Sequence, residues 1–378
     1  MLPFDDEQNR ALANLHSYYE QWIVAERENL DFQGSMRWHR VAGKEYLYHR
    51  VSSNPLVDTS LGVRSKQTEA RFNAFKMGKP DALLRRNRGQ AQVVRFAAMC
   101  KTLGVPLVPS KAAQILRQFD RKGLLGGCLM VVGTVAMAAY EIEAAARIFV
   151  GYDSTQDFDM TWRGIAGLQL HSKTPVSILA TLQEVDPLYT RNTERSFQAV
   201  SGDYEVEVLA APSTIASFPK GDLVPLAGMS EQEALLMGTP VRHVAVAYDR
   251  SAAPIVAPDP RWMALHKLWL SQKPQRNAVK KPKDQAQGLL LLRAVIEAMP
   301  NYPIDGEFVD SLSPELKPFL RAGVEWAKAN RSGEGGGQQA VPRSNIEPNV
   351  FRKIGRFASV NLLFPTEYQA NQPSRRKQ

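Results

Sequence analysis

Two aspartates raise the question of chemistry. Asp157 and Asp159 stand two residues apart in the run Ser154-Thr155-Gln156-Asp157-Phe158-Asp159-Met160. On a β-strand, residues i and i+2 point to the same face, so both carboxylates are expected to project together while Phe158 and Met160 turn to the core. Two like charges that close are costly unless a cation lies between them. Mg2+ held by one or two carboxylates and substrate phosphates is the usual relief. That arrangement serves phosphoryl or nucleotidyl transfer, in which the metal neutralises the triphosphate and aligns the attacking and leaving oxygens. In Tyr204-Glu205-Val206-Glu207-Val208-Leu209 the two glutamates alternate with apolar residues and share a face; either could be a third ligand or the base for an incoming hydroxyl.

A turn supplies the other half. The apolar run ending at Val132 is followed by Gly133-Thr134 and a helix expected to begin near Val135. Glycine permits close backbone approach, a helix start attracts phosphate, and the Thr134 hydroxyl adds a donor. Alone, a Gly-Thr belongs to any strand-to-helix turn, and an Asp-x-Asp is usually a solvated edge. Their order, each at the end of an expected strand, is what carries weight. Downstream, Lys267 lies inside the apolar helical run His266–Lys273, where a buried lysine needs a partner. Lys267 and Ser271 are one helical turn apart, and Lys283-Asp284 open the next helix.

Periodicity sets out the surrounding framework. Leu12, Leu15, Tyr18, Tyr19, Trp22 and Ile23 recur at helical spacing. Residues 37–62 read as short extended pieces and turns, and a second helical region runs from Ser65 to Leu103 with a break at Gly78-Lys79-Pro80. Ser110 is expected to cap a helix that turns Ala113, Leu116 and Phe119 inward and Lys111, Arg117 and Arg121 outward, ending at Gly123. Short apolar runs then alternate with turns, as in a mixed α/β domain: Cys128–Val132, Ile148–Val150, Asp157–Trp162, Tyr204–Leu209 and Val241–Ala247. Helices return at Trp262–Gln272, Lys283–Met299 and Pro314–Asn330.

The totals bound the rest. A chain of 378 residues with 44% hydrophobic content can bury a sizeable core, and a net charge of +9 suits a protein that meets phosphates. Cys100 and Cys128 supply neither a disulfide framework nor a metal-ligand spacing; they read as buried hydrophobes in a reducing, cytoplasmic setting. The uncharged run Leu124–Tyr140 reads as a buried strand feeding a buried helix, not as a membrane span, and no secretory signal is expected.

The runs GTVAMAAYE, STQDFDM, YEVEVL and HKLWLSQKPQR…KKPKDQAQ, with YYEQW, GKEYLYHR, SLGVRS and ILRQFDRKGLLG before them, resemble a family of bacterial nucleotidyltransferase-fold proteins. That family belongs to the DNA polymerase β-like superfamily and is similar to abortive-infection nucleotidyltransferase toxins. The resemblance covers roughly residues 15–330 and implies an α+β protein, a nucleotidyltransferase-fold mixed sheet flanked by N-terminal and C-terminal helical regions. The expected organisation is a mainly helical region at 1–123, the nucleotidyltransferase-fold domain at 124–257, a helical region at 258–331, and a flexible linker with a basic tail at 332–378.

Residue by residue, the resemblance places Gly133 and Thr134 at the phosphate turn and Asp157 and Asp159 at the metal pair. Glu207 stands where many members have a third aspartate. Lys267, Lys283 and Asp284 match a downstream signature that contacts nucleotide, and Arg64-Ser65 match a motif for which a basic side chain reaching the triphosphate is one role. The spacing from Gly133 to Asp157 implies an enlarged first helix and an extra strand. The expected activity is Mg2+- or Mn2+-dependent transfer of a nucleoside monophosphate from an NTP to a hydroxyl of RNA (tRNA among the candidates) or of protein, in a toxin or phage-defence role, without a membrane partner. The alternative is a nucleic-acid or partner-binding module with a vestigial nucleotide site.

Overall fold

The computed structural model describes residues 1–53, 56–149, 157–164, 177–225 and 231–330. In chain order the elements are β1 (Leu2–Pro3), α1 (Asp6–Leu30), β2 (Ser35–Val41), β3 (Lys44–Ser53), β4 (Leu56–Val63), α2 (Lys66–Thr102), β5 (Leu107–Val108) and α3 (Ser110–Arg121). The chain continues through β6 (Leu129–Val131), α4 (Met137–Glu143), β7 (Ala146–Arg147), β8 (Asp157–Trp162), α5 (Ile178–Val185), β9 (Thr190–Arg191), β10 (Gln198–Ser201) and β11 (Tyr204–Ala210). It closes with α6 (Glu231–Ala234), β12 (Val241–Ala247), β13 (Ala252–Ala257), α7 (Pro260–Gln272), α8 (Lys280–Ala298), α9 (Gly306–Ser311) and α10 (Lys317–Ala329). This is the expected α+β class with mixed sheets. The linker and basic tail at 332–378 lie outside the described residues.

A mixed five-stranded sheet in the order β6-β8-β11-β10-β9 is central to the site. Within it β8 runs parallel to β11, β6 runs antiparallel to β8, and β10 runs antiparallel to both β11 and β9. Phe158, Met160 and Trp162 of β8 and Val206, Val208 and Ala210 of β11 are all fully buried, so the alternating apolar positions of both strands enter one core with α3, α4, α7 and α8. A three-stranded sheet, β13-β12-β5, contributes residues to the same core.

The N-terminal part is a second layer. Helices α1 and α2 pair along their length, and Leu15, Tyr19, Ile23, Val93, Ala97 and Cys100 form a smaller core with Val244 and Val246 of β12. Strands β2, β3 and β4 form an antiparallel meander beside α2, where extended pieces and turns were expected. Cys100 and Cys128 are buried, and burial pushes both thiols up to about 12, as suits inert hydrophobes.

Four local expectations need correction. Gly78-Lys79-Pro80 does not break the second helix: α2 runs unbroken from Lys66 to Thr102 with Pro80 inside it. Tertiary contact overrides the local signal, because Phe32 packs over Gly78 so closely that a β-carbon there would lie 2.6 Å from its ring, and Lys79 Nζ donates to the Gly34 carbonyl. Ser110 does not cap α3; Pro109 is the N-cap, and Ser110 Oγ accepts from Asp249 N at 3.0 Å instead. Arg117 does not point to water but donates to the Ala252 carbonyl at 2.6 Å and to Ser251 Oγ at 2.8 Å. Of the strand expected at Ile148–Val150, Ile148 and Phe149 lie just past β7 (Ala146–Arg147) and their amides go to the buried carboxylate of Glu141, while Val150 lies outside the described residues.

Candidate functional site

Sheet order brings the two acidic strands together. In the parallel β8–β11 pair, Asp157 stands opposite Glu205 and Asp159 opposite Glu207. Neighbouring strands lie about 4.8 Å apart, so the Asp159 and Glu207 positions are next to each other on the face opposite Phe158 and Val206. Asp159 and Glu207 are half-buried. The side chain of Asp157 lies outside the described residues; its backbone holds the register position two residues before Asp159.

The Gly133 turn meets the same place. Strand β6 runs antiparallel to β8, and Val132 N donates to the Asp159 carbonyl at 2.9 Å. The next residue, Gly133, has φ +70°, and a β-carbon on it would stand 2.3 Å from Asp159 Oδ2. Glycine is therefore favoured twice, by the left-handed backbone and by the carboxylate packed against it. Thr134 follows, half-buried. The helix after it starts later than expected, at Met137, and has seven residues, so among the described residues it is not enlarged; the short strand β7 follows it, and residues 150–156 of the long spacing lie outside the described residues.

One residue of this cluster was not anticipated. Gln198, fully buried on β10, stands opposite Glu207 in the register. Its Nε2 donates to Glu207 Oε1 at 2.5 Å and to Glu205 Oε2 at 3.2 Å. Asn192 Nδ2 donates to Gln198 Oε1 at 3.0 Å, which turns the amide group of Gln198 toward the two carboxylates. A sequence signal existed: Gly202-Asp203 is a two-residue hairpin connection, and counting back from the Ser201–Tyr204 pair places Gln198 beside Glu207.

These residues suit a hard divalent cation. Asp159 and Glu207, with Asp157 in register, offer carboxylate oxygens only, the donor chemistry of Mg2+ or Mn2+. Among the described residues, which leave out the Asp157 side chain, no three His, Cys, Asp or Glu groups already converge as a metal cage.

The remaining candidates sit on other elements. Lys267 on α7 is buried, and its Nζ lies 2.8 Å from Asp284 Oδ1 on α8; Arg276 holds the other oxygen of Asp284 at 2.7 Å. The expected partner of the buried lysine is therefore Asp284. Burial works to raise the Asp284 pKa, but Lys267 and Arg276 outweigh it and hold the carboxyl below its ordinary value. Lys283 precedes Asp284 in the first turn of α8 and is half-buried. Arg64 and Ser65 lie at the β4–α2 junction: Arg64 is exposed and bridges Glu45 and Glu69, both at 2.7 Å, and Ser65 caps α2 through Thr68.

The family model described as "Nucleotidyltransferase" matches residues 110–309, more than half of the chain, and the chain belongs to that family. The match runs from α3 to α9 and so contains the whole acidic cluster, the Gly133 turn and the Lys267–Asp284 pair. The protein is thus a transferase of the nucleotidyltransferase kind. No curated protein and no solved structure matches the chain. Among the described residues no helix is long and apolar enough to cross a membrane.

Proposed function

We propose that the chain moves a nucleoside monophosphate from an NTP to a hydroxyl acceptor at the Gly133–Asp159–Glu207 cluster. The observation that carries this reading is the convergence of two independent strand pairings, β6 with β8 and β8 with β11, on Asp159. Asp157, Asp159 and Glu207 would hold Mg2+ or Mn2+, which when bound offsets triphosphate charge and favours attack at the α-phosphorus. The Gly133 backbone, packed against Asp159, would meet the triphosphate there, and the Thr134 hydroxyl would add a donor. The acceptor oxygen forms a bond to the α-phosphorus, the bond from that phosphorus to the bridging oxygen breaks, and pyrophosphate leaves. A carboxylate of the Glu205–Glu207 pair takes the hydroxyl proton. Gln198 keeps both glutamates aimed at the cluster.

The test is transfer of α-32P label from each of the four NTPs, with Mg2+, into a whole-cell extract, beside an Asp157→Ala/Asp159→Ala variant. Label that disappears in the folded variant and on chelation supports the reading; RNase and protease then assign it to RNA or protein. Full activity in the folded variant would sink it.

A further inference from the structure

Positive charge is not spread over this molecule. Residues 35–102, the β2-β3-β4 meander and α2, contain 14 of the 47 lysines and arginines but four of the 38 aspartates and glutamates, a net +10. The whole chain carries +9, so the other 310 residues sum to −1. Such segregation costs self-repulsion unless a polyanion meets it. Arg40, Lys44, Lys66, Arg71, Lys76 and Arg88 are exposed, or nearly so, and have no carboxylate in salt-bridge reach among the described residues.

The meander has two different faces. Toward α2 it places Leu47, fully buried, with Trp38 5.9 Å from Phe72 and His49 5.6 Å from Phe75. On the other face the register sets Arg37 opposite Tyr48, His39 opposite Tyr46 and Val41 opposite Lys44. Arg37 and His39 are exposed, Tyr46 and Tyr48 half-buried, and the His39 and Tyr48 rings lie 6.0 Å apart. Asp58 bridges Arg37 and Arg50, at 2.6 and 2.7 Å, which holds both guanidinium groups at this surface. Rings set among cations are what a single nucleic-acid strand needs: the cations take phosphates and the rings stack on bases.

The arm is fixed to the catalytic part. A β-carbon on Gly89 would lie 3.2 Å from the Trp22 Cα, so α1 and α2 cross in close contact, and the C-terminal end of α2 enters the small core against β12. At ~1.5 Å per residue, α2 extends about 55 Å. That is long enough to hold a strand whose end reaches elsewhere on the protein.

We infer that the outer face of the meander and the solvent side of α2 bind single-stranded RNA, and that this RNA is the acceptor; the second clause rests on the proposed transfer activity. The binding itself is measurable without NTP, by fluorescence anisotropy of the full chain with an end-labelled RNA of about 20 nucleotides, across roughly 50 to 200 mM salt. Four or more phosphate contacts would give a log–log salt slope of about −3 or steeper. The variant Lys44→Gln/Lys66→Gln/Arg71→Gln/Lys76→Gln/Arg88→Gln should weaken binding at least ~10-fold and flatten the slope. Tyr46→Ser/Tyr48→Ser should weaken it about 10-fold with the slope unchanged. Circular dichroism and melting temperature check that each variant folds.

Wild-type protein without salt-dependent RNA binding would overturn the inference, as would a five-site variant that binds like wild type. Polyglutamate competing as well as RNA would reassign the surface to an acidic protein. Asp159→Ala should bind RNA as wild type does. RNA binding with no transfer to any acceptor would therefore remove the proposed function and the acceptor role but leave the binding surface. Undiminished labelling of RNA by the five-site variant would remove this inference alone.

Discussion

A β-carbon on Gly133 would stand 2.3 Å from Oδ2 of Asp159. The atom it would displace is the end of a side chain and can move, so Gly133→Ala should fold. The cost is the positive φ and the shifted carboxylate, about 1–2 kcal/mol. Activity should suffer far more, because displacement of a reacting group by an ångström can cost about 100-fold. Steady-state transfer kinetics beside a thermal melt separate the two effects. A stable variant within threefold of wild-type kcat/KM, on the order of normal error, would mean that the close approach has no catalytic role.

Gln198 tests the cluster from behind. It touches both glutamates and is itself buried, so it acts by positioning them. Gln198→Leu keeps the bulk and removes the donor. Outer partners of metal-binding carboxylates are typically worth about 10- to 100-fold in metal affinity or activity. The expected result is an increase of roughly 10-fold in the Mg2+ concentration giving half-maximal transfer. Gln198→Asn, which keeps an amide on a shorter stem, should recover part of it. A Mg2+ titration that overlays wild type would assign Gln198 to packing alone.

Much of this site was legible because alternation is a local property. The strands Asp157–Trp162 and Val241–Ala247 have the bounds their patterns suggest, and Asp159 and Glu207 each oppose an apolar core set. Their adjacency was not legible, since parallel register is set by a long-range pairing that neither strand encodes alone. Gln198 could be reached only through the Gly202-Asp203 turn. At Lys267 the need for a partner was readable from burial, but Asp284 as that partner depends on how α7 and α8 pack. The Gly78–Pro80 segment failed in the opposite way, with sound local signals overruled by Phe32 from the α1–β2 connection.

Asp120 locks the N-terminal layer to the sheet. It is fully buried at the end of α3, and accepts from Tyr19 Oη at 3.0 Å, Arg27 at 3.0 Å and Arg242 at 3.3 Å. Asp120→Ala leaves two guanidinium groups and a hydroxyl without this acceptor, and should cost about 3–5 kcal/mol in urea unfolding. Burial raises the Asp120 pKa above its ordinary value, against the pull of Arg242 and Arg27. The folded state therefore holds this proton more tightly than the unfolded one. Stability from this group is present below the unfolded value, about 4, and is lost as pH rises through the folded value. Asp120→Asn removes that slope, so the wild-type-minus-Asn difference should change across this range and level off above it. A difference independent of pH would show that Asp120 does not titrate in this window.

The Lys267–Asp284 pair can be structural or can serve the nucleotide, and the two roles part under mutation. Asp284→Asn leaves Lys267 buried without its counter-charge and should destabilise by about 3–5 kcal/mol. Because Lys267 and Arg276 depress the Asp284 pKa despite burial, its contribution is fully present above the unfolded value. It is lost as pH falls from about 4 through the folded value, so the gap between wild type and Asp284→Asn should narrow on acidification. The double variant Lys267→Met/Asp284→Leu replaces the buried pair with apolar groups of similar bulk, a change that is often neutral. If that variant folds and keeps its KM for NTP, the pair only joins α7 to α8. A folded double variant whose KM rises about 10-fold or more would instead place Lys267 in the electrostatics of the triphosphate.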